Sequence, residues 1–143
     1  MDKSTCSLNF MYCMEKFATA IYKVQKGSFK NKAISEKLTY AIDNEQQHAL
    51  TLKTRIIELG NTTSRLAFLF QIAGSVLGGL SRCFSKKLAL KTDTAIEQRA
   101  VKDYGYFLRT LVLDDTTKQL IKNIISDEEL HIRNWQDSIK LLE

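Results

Sequence analysis

Residues 126–135 read SDEELHIRNW and residues 44–50 read NEQQHAL. These two stretches hold the only histidines of the 143-residue chain. Each histidine stands three places after a glutamate: Glu45 before His48, Glu128 before His131. On a helix, side chains at i and i+3 share a face about one turn apart. Each pair therefore offers a carboxylate and an imidazole in one direction, and what the two pairs face decides the fold.

The chain has no proline and six glycines, so long uninterrupted helices are expected. Four helical patterns stand out. The first runs from about Ser7 to Gln25 and stops at Gly27; the second runs from about Lys32 to Leu59 and stops at Gly60. The third runs from about Ser85 to Leu113 and the fourth from about Thr116 to Leu142. "DDTT" forms the turn between the last two, with Asp115 or Thr116 as the expected N-cap. Between the second and third patterns lies LAFLFQIAGSVLGGL, Leu66 to Leu80, without a single charge. It is shorter than the roughly 20 residues that a membrane-spanning helix needs.

Composition narrows the function classes. Hydrophobic residues make up 44% and charged residues 26%, ordinary for a globular chain. The net charge of +5 is dispersed, with no basic patch interleaved with aromatics, so no nucleic-acid partner is expected. Cys6, Cys13 and Cys83 are odd in number and show no CxxC spacing. That argues against a disulfide framework or a cysteine zinc site and for a reducing compartment. The first residues, MDKSTCSLNFMYCMEKF, lack the apolar core of a secretory signal.

The glutamates and histidines interrupt the apolar stripes instead of decorating the outer faces. The first stripe is Leu8, Met11, Glu15, Ala18, Tyr22, Gln25, and the second is Ile34, Leu38, Ala41, Glu45, His48, Leu52, Ile56, Leu59. The third is Glu97, Val101, Tyr104, Leu108, Leu111, and the fourth is Leu120, Ile124, Glu128, His131, Trp135, Leu142. The halves echo each other: Glu15 precedes Glu45 by 30 residues, and Glu97 precedes Glu128 by 31. Glu129 falls off its stripe.

Four buried carboxylates are costly unless paired or bound to metal, and no lysine or arginine lies on these stripes. One Glu from each of two helices plus Glu-x-x-His from each of two others is the ligand set of ferritin-like di-iron or di-manganese bundles. The expected fold is an all-α, ferritin-like four-helix bundle, one domain over residues 1–143, with the apolar segment crossing between helices 2 and 3. The expected metal ligands are Glu15, Glu45, His48, Glu97, Glu128 and His131, holding two iron ions, with manganese as the alternative. Six carboxylate-rich ligands suit zinc less well. Tyr22 and Tyr104 face the expected site. Asp93, one turn before Glu97, reads as a solvated residue, with orientation of a ligand histidine as the alternative. Trp135 reads as core.

The residues around these positions resemble the demethoxyubiquinone hydroxylase family. EKFATAIYKVQ is similar to the family's opening E-x-x-A-x-x-I-Y-x-x-Q at Glu15, Ala18, Ile21, Tyr22 and Gln25. EQQHALTLKTRIIELG resembles its second-helix motif, IAGSVLGGL its glycine-dotted crossover, AIEQRAVKDYGYFL its third-helix segment and DEELHIRNW its closing D-E-x-x-H. Two positions depart: YCM stands where the family has D-H-A-G, and Asp103 replaces the family's histidine before the tyrosine.

The resemblance implies a membrane-associated di-iron monooxygenase that hydroxylates a demethoxyquinone ring in ubiquinone biosynthesis. It implies the six ligands above, with Tyr104 as a catalytic residue beside iron and substrate. The implied partners are O₂, a quinone or lipid-like substrate, an external electron donor and a membrane surface touched from the cytoplasmic side. A homo-oligomer is compatible with this. The competing expectation is a ferritin- or rubrerythrin-like iron oxidase or peroxide scavenger with no organic substrate.

Overall fold

The computed structural model describes residues 2–142. Met1 and Glu143, the ends of the expected 1–143 domain, lie outside the described residues. The chain forms five α-helices: α1 Lys3–Lys26, α2 Lys32–Glu58, α3 Ala67–Ser81, α4 Lys86–Thr110 and α5 Asp115–Lys140. No strand occurs among the described residues, and the expected all-α helical bundle is what the chain adopts.

Local chemistry sets the helix starts. Asp2 accepts from the Thr5 amide at 2.7 Å, Asn31 from Ile34 at 3.2 Å, Ser85 from Leu88 at 3.2 Å and Asp114 from Thr117 at 3.0 Å. Each satisfies an amide that has no partner within its helix. The cap of α5 is thus Asp114, not the expected Asp115 or Thr116. Asp114 also accepts from the Thr117 hydroxyl at 2.7 Å and pairs with Arg55 at 2.8 Å. Likewise α1 begins four residues earlier than its apolar stripe suggests, because Asp2 can cap it. Gly60 takes φ +74, the left-handed stop that glycine permits, whereas Gly27 stays right-handed at φ −67.

The pairs α1/α2 and α4/α5 form two hairpins, and α2 meets α5 while α1 meets α4. Two apolar clusters fill the space between them. One contains Tyr22, Ile34, Leu38, Leu90 and Trp135; the other contains Leu8, Met11, Leu52, Ile56, Tyr104, Ile121 and Ile124. The spacing of 3 and 4 along each stripe points these residues inward.

The apolar segment forms α3, packed along the outside of α1. Its buried positions are small: Ala67, Gly74, Gly78 and Ser81. A Cβ on Gly74 would collide with the backbone oxygen of Phe17, and one on Gly78 would lie 2.8 Å from the oxygen of Ile21. Small residues thus let the two backbones approach. The large side chains face outward: Phe68 is 67% exposed, Leu69 58% and Val76 56%. No helix among the described residues is long and apolar enough to cross a membrane.

Gly74→Ala should destabilise the chain by about 1–3 kcal/mol through overpacking, because backbone cannot rotate aside. Gly79→Ala should be neutral or slightly stabilising, since its Cβ would meet nothing within 4 Å. Thermal melts of both variants check this.

Candidate metal centre

The four expected glutamates and both histidines come together at the middle of the bundle. Glu15 sits on α1, Glu45 and His48 on α2, Glu97 on α4, and Glu128 and His131 on α5. All six are at most 4% exposed. Their helices position them without help from loops, so the spacing that puts them on apolar stripes also buries them.

They form two overlapping groups. Glu15, Glu45, His48 and Glu128 bring one ligand atom each within 4.8 Å of one another, and so do Glu45, Glu97, Glu128 and His131. Glu45 and Glu128 belong to both groups. Each histidine turns Nδ1 inward. His48 Nδ1 lies 3.3 Å from Glu128 Oε1, 3.4 Å from Glu15 Oε2 and 3.5 Å from Glu45 Oε2. His131 Nδ1 lies 2.9 Å from Glu128 Oε2, 3.1 Å from Glu45 Oε1 and 3.5 Å from Glu97 Oε1. Despite this proximity, both oxygens of Glu45, Glu128 Oε2 and His131 Nδ1 are buried with no aligned hydrogen bond. Buried polar atoms are normally satisfied. Donors converging on common points without bonding one another are what cations require, so each of the two overlapping groups fits a metal ion.

The electrostatics say the same. Burial pushes Glu45 well above the usual carboxylate range, and the neighbouring Glu128 and Glu15 push further. Glu97 rises to about 7, again chiefly through burial. Burial works against the ionised form of Glu128 too, but the imidazoles of His131 and His48 beside it outweigh this and hold the group down at about 2. Burial opposes charge on the histidines, yet the carboxylates around them lift both far above the ordinary imidazole range. Two imidazolium charges alone cannot neutralise four carboxylates, and divalent cations can.

Two tyrosines seal the centre reciprocally. Tyr104 on α4 donates to Glu15 Oε1 at 2.6 Å, and Tyr22 on α1 donates to Glu97 Oε1. Each tyrosine stands seven residues after the glutamate of its own helix and reaches the glutamate of the other. Burial raises both phenols well above their usual value, with nearby carboxylates adding to it, so each keeps its proton and donates.

Asp127 was not among the expected site residues. Its Oδ2 accepts from His48 Nε2 at 3.0 Å. The signal was present, since Asp127 directly precedes Glu128, but one helix's spacing cannot show that its partner lies on α2. Asp93 is neither solvated nor bonded to a ligand histidine. It is fully buried, and its Oδ1 accepts from Gln25 Nε2 at 2.9 Å, while Gln25 also reaches Ser81 Oγ at 3.1 Å. Trp135 is core, as expected, with its ring against Tyr22. Asp103 pairs with Arg99 at 2.7 Å along α4.

Residues 13–138 match the sequence model of the family described as "Ubiquinone biosynthesis protein COQ7". Among curated proteins, the chain is 27% identical over 118 residues to a 3-demethoxyubiquinol 3-hydroxylase of Pseudomonas syringae, covering 82% of this chain and 55% of that protein. It is 28% identical over 118 residues to the protein of the same name in Pseudomonas fluorescens, covering 82% and 55%. For that of Dechloromonas aromatica the figures are 27% over 119 residues, 83% and 58%. The chain spans about half the length of the curated relatives it matches.

Asp93 gives a pH test of the fold around the centre. Burial raises its carboxyl from 3.8 to about 8. Below about pH 4 the carboxyl is neutral folded and unfolded, so it contributes no pH dependence there. Between about pH 4 and 8 the unfolded chain ionises Asp93 and the folded chain resists, so its contribution to stability falls as pH rises. Asp93→Asn should therefore gain stability over the parent, by an amount growing from pH 4 to 8. Urea melts across that range measure it.

Proposed function

We propose, because this chain belongs to the ubiquinone biosynthesis protein COQ7 family, that it is a di-iron monooxygenase hydroxylating a demethoxyquinone-type ring with O₂. The observation that supports this best is the pair of overlapping four-residue groups sharing Glu45 and Glu128. In this reading Glu15, Glu45, His48 and Glu128 would hold one iron ion and Glu45, Glu97, Glu128 and His131 the other, with manganese able to substitute. The relatives' name, 3-demethoxyubiquinol 3-hydroxylase, supports the substrate class.

When bound, the iron pair supplies the redox chemistry that activates O₂. The chain's own residues do the rest. Four carboxylates match the charge of two divalent ions and remain adjustable as that charge changes. Tyr104 is the proposed catalytic residue. Its hydroxyl holds a proton at Glu15 Oε1, 2.6 Å away, on the side of the centre lined by Leu8, Met11 and Phe107. Those apolar neighbours exclude water from the reacting ring. Electrons come from an external donor.

A long-tailed quinone partitions into membranes, so the reading includes a peripheral membrane surface on the cytoplasmic side. Support comes from α3, which turns Phe68, Leu69, Ile72, Val76 and Leu80 outward. A helix of this kind gains binding from buried apolar area. Arg65 and Arg82, exposed at its two ends, add attraction to anionic lipid.

Anaerobic loading should give two Fe²⁺ per chain. His131→Ala should lower that number and Glu129→Ala should not, because Glu129 is exposed; iron analysis after gel filtration decides. O₂ consumption by the reduced protein should require a demethoxyquinone. Consumption driven by Fe²⁺ alone, without quinone turnover, would mark an iron oxidase instead. Phe68→Asp with Val76→Asp should reduce sedimentation with anionic liposomes while leaving iron content unchanged.

A further inference from the structure

The two halves of the centre are nearly matched. Glu15 and Tyr22 on α1 correspond to Glu97 and Tyr104 on α4, with the same spacing of seven and reciprocal hydrogen bonds. Glu45-x-x-His48 corresponds to Glu128-x-x-His131. The match breaks one residue before each pair. Asp127 precedes Glu128, but Asn44 precedes Glu45.

That break changes what stands behind each imidazole. His48 Nε2 donates to Asp127 Oδ2 at 3.0 Å. This bond places the ring proton on Nε2 and leaves Nδ1 free to face the centre. By the correspondence of the halves, Asn44 would stand behind His131. It does not: Asn44 Nδ2 turns to Asp127 Oδ2 at 3.4 Å, and Asn44 Oδ1 is buried with no hydrogen bond. His131 Nε2 is likewise buried with no partner among the described residues. The His131 ring packs between aromatic rings, its centroid 6.0 Å from that of Tyr40 and 6.4 Å from that of Trp135. A carboxylate behind a ligand imidazole fixes the tautomer and ring orientation and makes the inner nitrogen a better donor; losing one typically costs 10–100-fold in metal affinity.

We infer that the two metal positions are unequal, the one built on His48 holding its ion more tightly than the one built on His131. This rests on the di-metal reading above. The ion at His48 binds first, and the ion at His131 completes the pair.

The test uses Mn²⁺ with the full chain, without turnover. The expected isotherm has two steps, one ion each, at least about 10-fold apart in affinity. At one equivalent, paramagnetic resonance should show nearly all manganese as isolated ions, and the second equivalent should replace that signal with a coupled pair. Asp127→Asn should weaken the first step by about 10-fold or more, leave the second nearly in place, and put coupled pairs into the one-equivalent sample. His131→Ala should keep one tightly held ion, whereas His48→Ala should lose the tight step; circular dichroism confirms that each variant is folded. Two equal ions in the unmodified chain would overturn the inference without any variant. So would Asp127→Asn weakening both steps alike, or His48→Ala keeping the tight step. Failure of the unmodified chain to bind any Mn²⁺ or Fe²⁺ would instead overturn the di-metal reading itself.

Discussion

Four carboxylates confined with two imidazoles inside an apolar bundle are the constraint on which the structure turns. Taking an ionised carboxylate out of water costs several kcal/mol even after relaxation, and here four of them share one space. Among the described residues their ion-pair partners are the two histidines. Partial remedies are visible. Protons are pushed onto Glu45 and toward Glu97, and Glu128 stays ionised between two imidazoles. None of these is complete, because atoms of Glu45, Glu128 and His131 still lack aligned bonds. A site that is expensive in the absence of a cation is strongly stabilised by one, since binding free energy becomes folding free energy.

That constraint also accounts for the rigidity of what surrounds it. Glu15 and Glu97 are each held by a tyrosine from the opposite hairpin, so the two hairpins are tied through Tyr22 and Tyr104 as well as by packing. The tyrosines, Trp135, Met11 and Leu52 are essentially fully buried. The side chains that converge there are carried on four helices with side-chain N-caps, the kind of regular element that positions donors best.

The sequence carried much of this in plain form, for a definable reason. Glu-x-x-His and the stripes are local patterns, and a helix converts local spacing directly into shared direction. The six converging residues and the buried Trp135 follow from that conversion. What was illegible depends on contacts between helices. Asp127 lies off the inward stripe of α5, yet it meets His48 from α2. Asp93 lies one turn before Glu97 and so shares its face, yet the partners that enclose it, Gln25 of α1 and Ser81 of α3, belong to other helices and cannot be read from the spacing of α4. The N-cap of α5 was misplaced by one residue because Asp114, Asp115 and Thr116 are all good caps, and only Arg55 of α2 distinguishes Asp114.

The segment before α4 shows the same limit most clearly. LAFLFQIAGSVLGGL carries no charge and only Gln71 and Ser75 among apolar residues, so composition alone does not say which side packs. The decision belongs to the glycines. Gly74 and Gly78 allow a backbone approach to α1 that any Cβ would block. Once that narrow face is committed, Phe68, Leu69, Ile72 and Val76 can only lie on the other side. Their exposure is therefore a consequence of close packing and not a failure of burial. The helix that lies nearest to α1, and through Ser81 and Gln25 to Asp93, is also the one that presents an apolar surface outward.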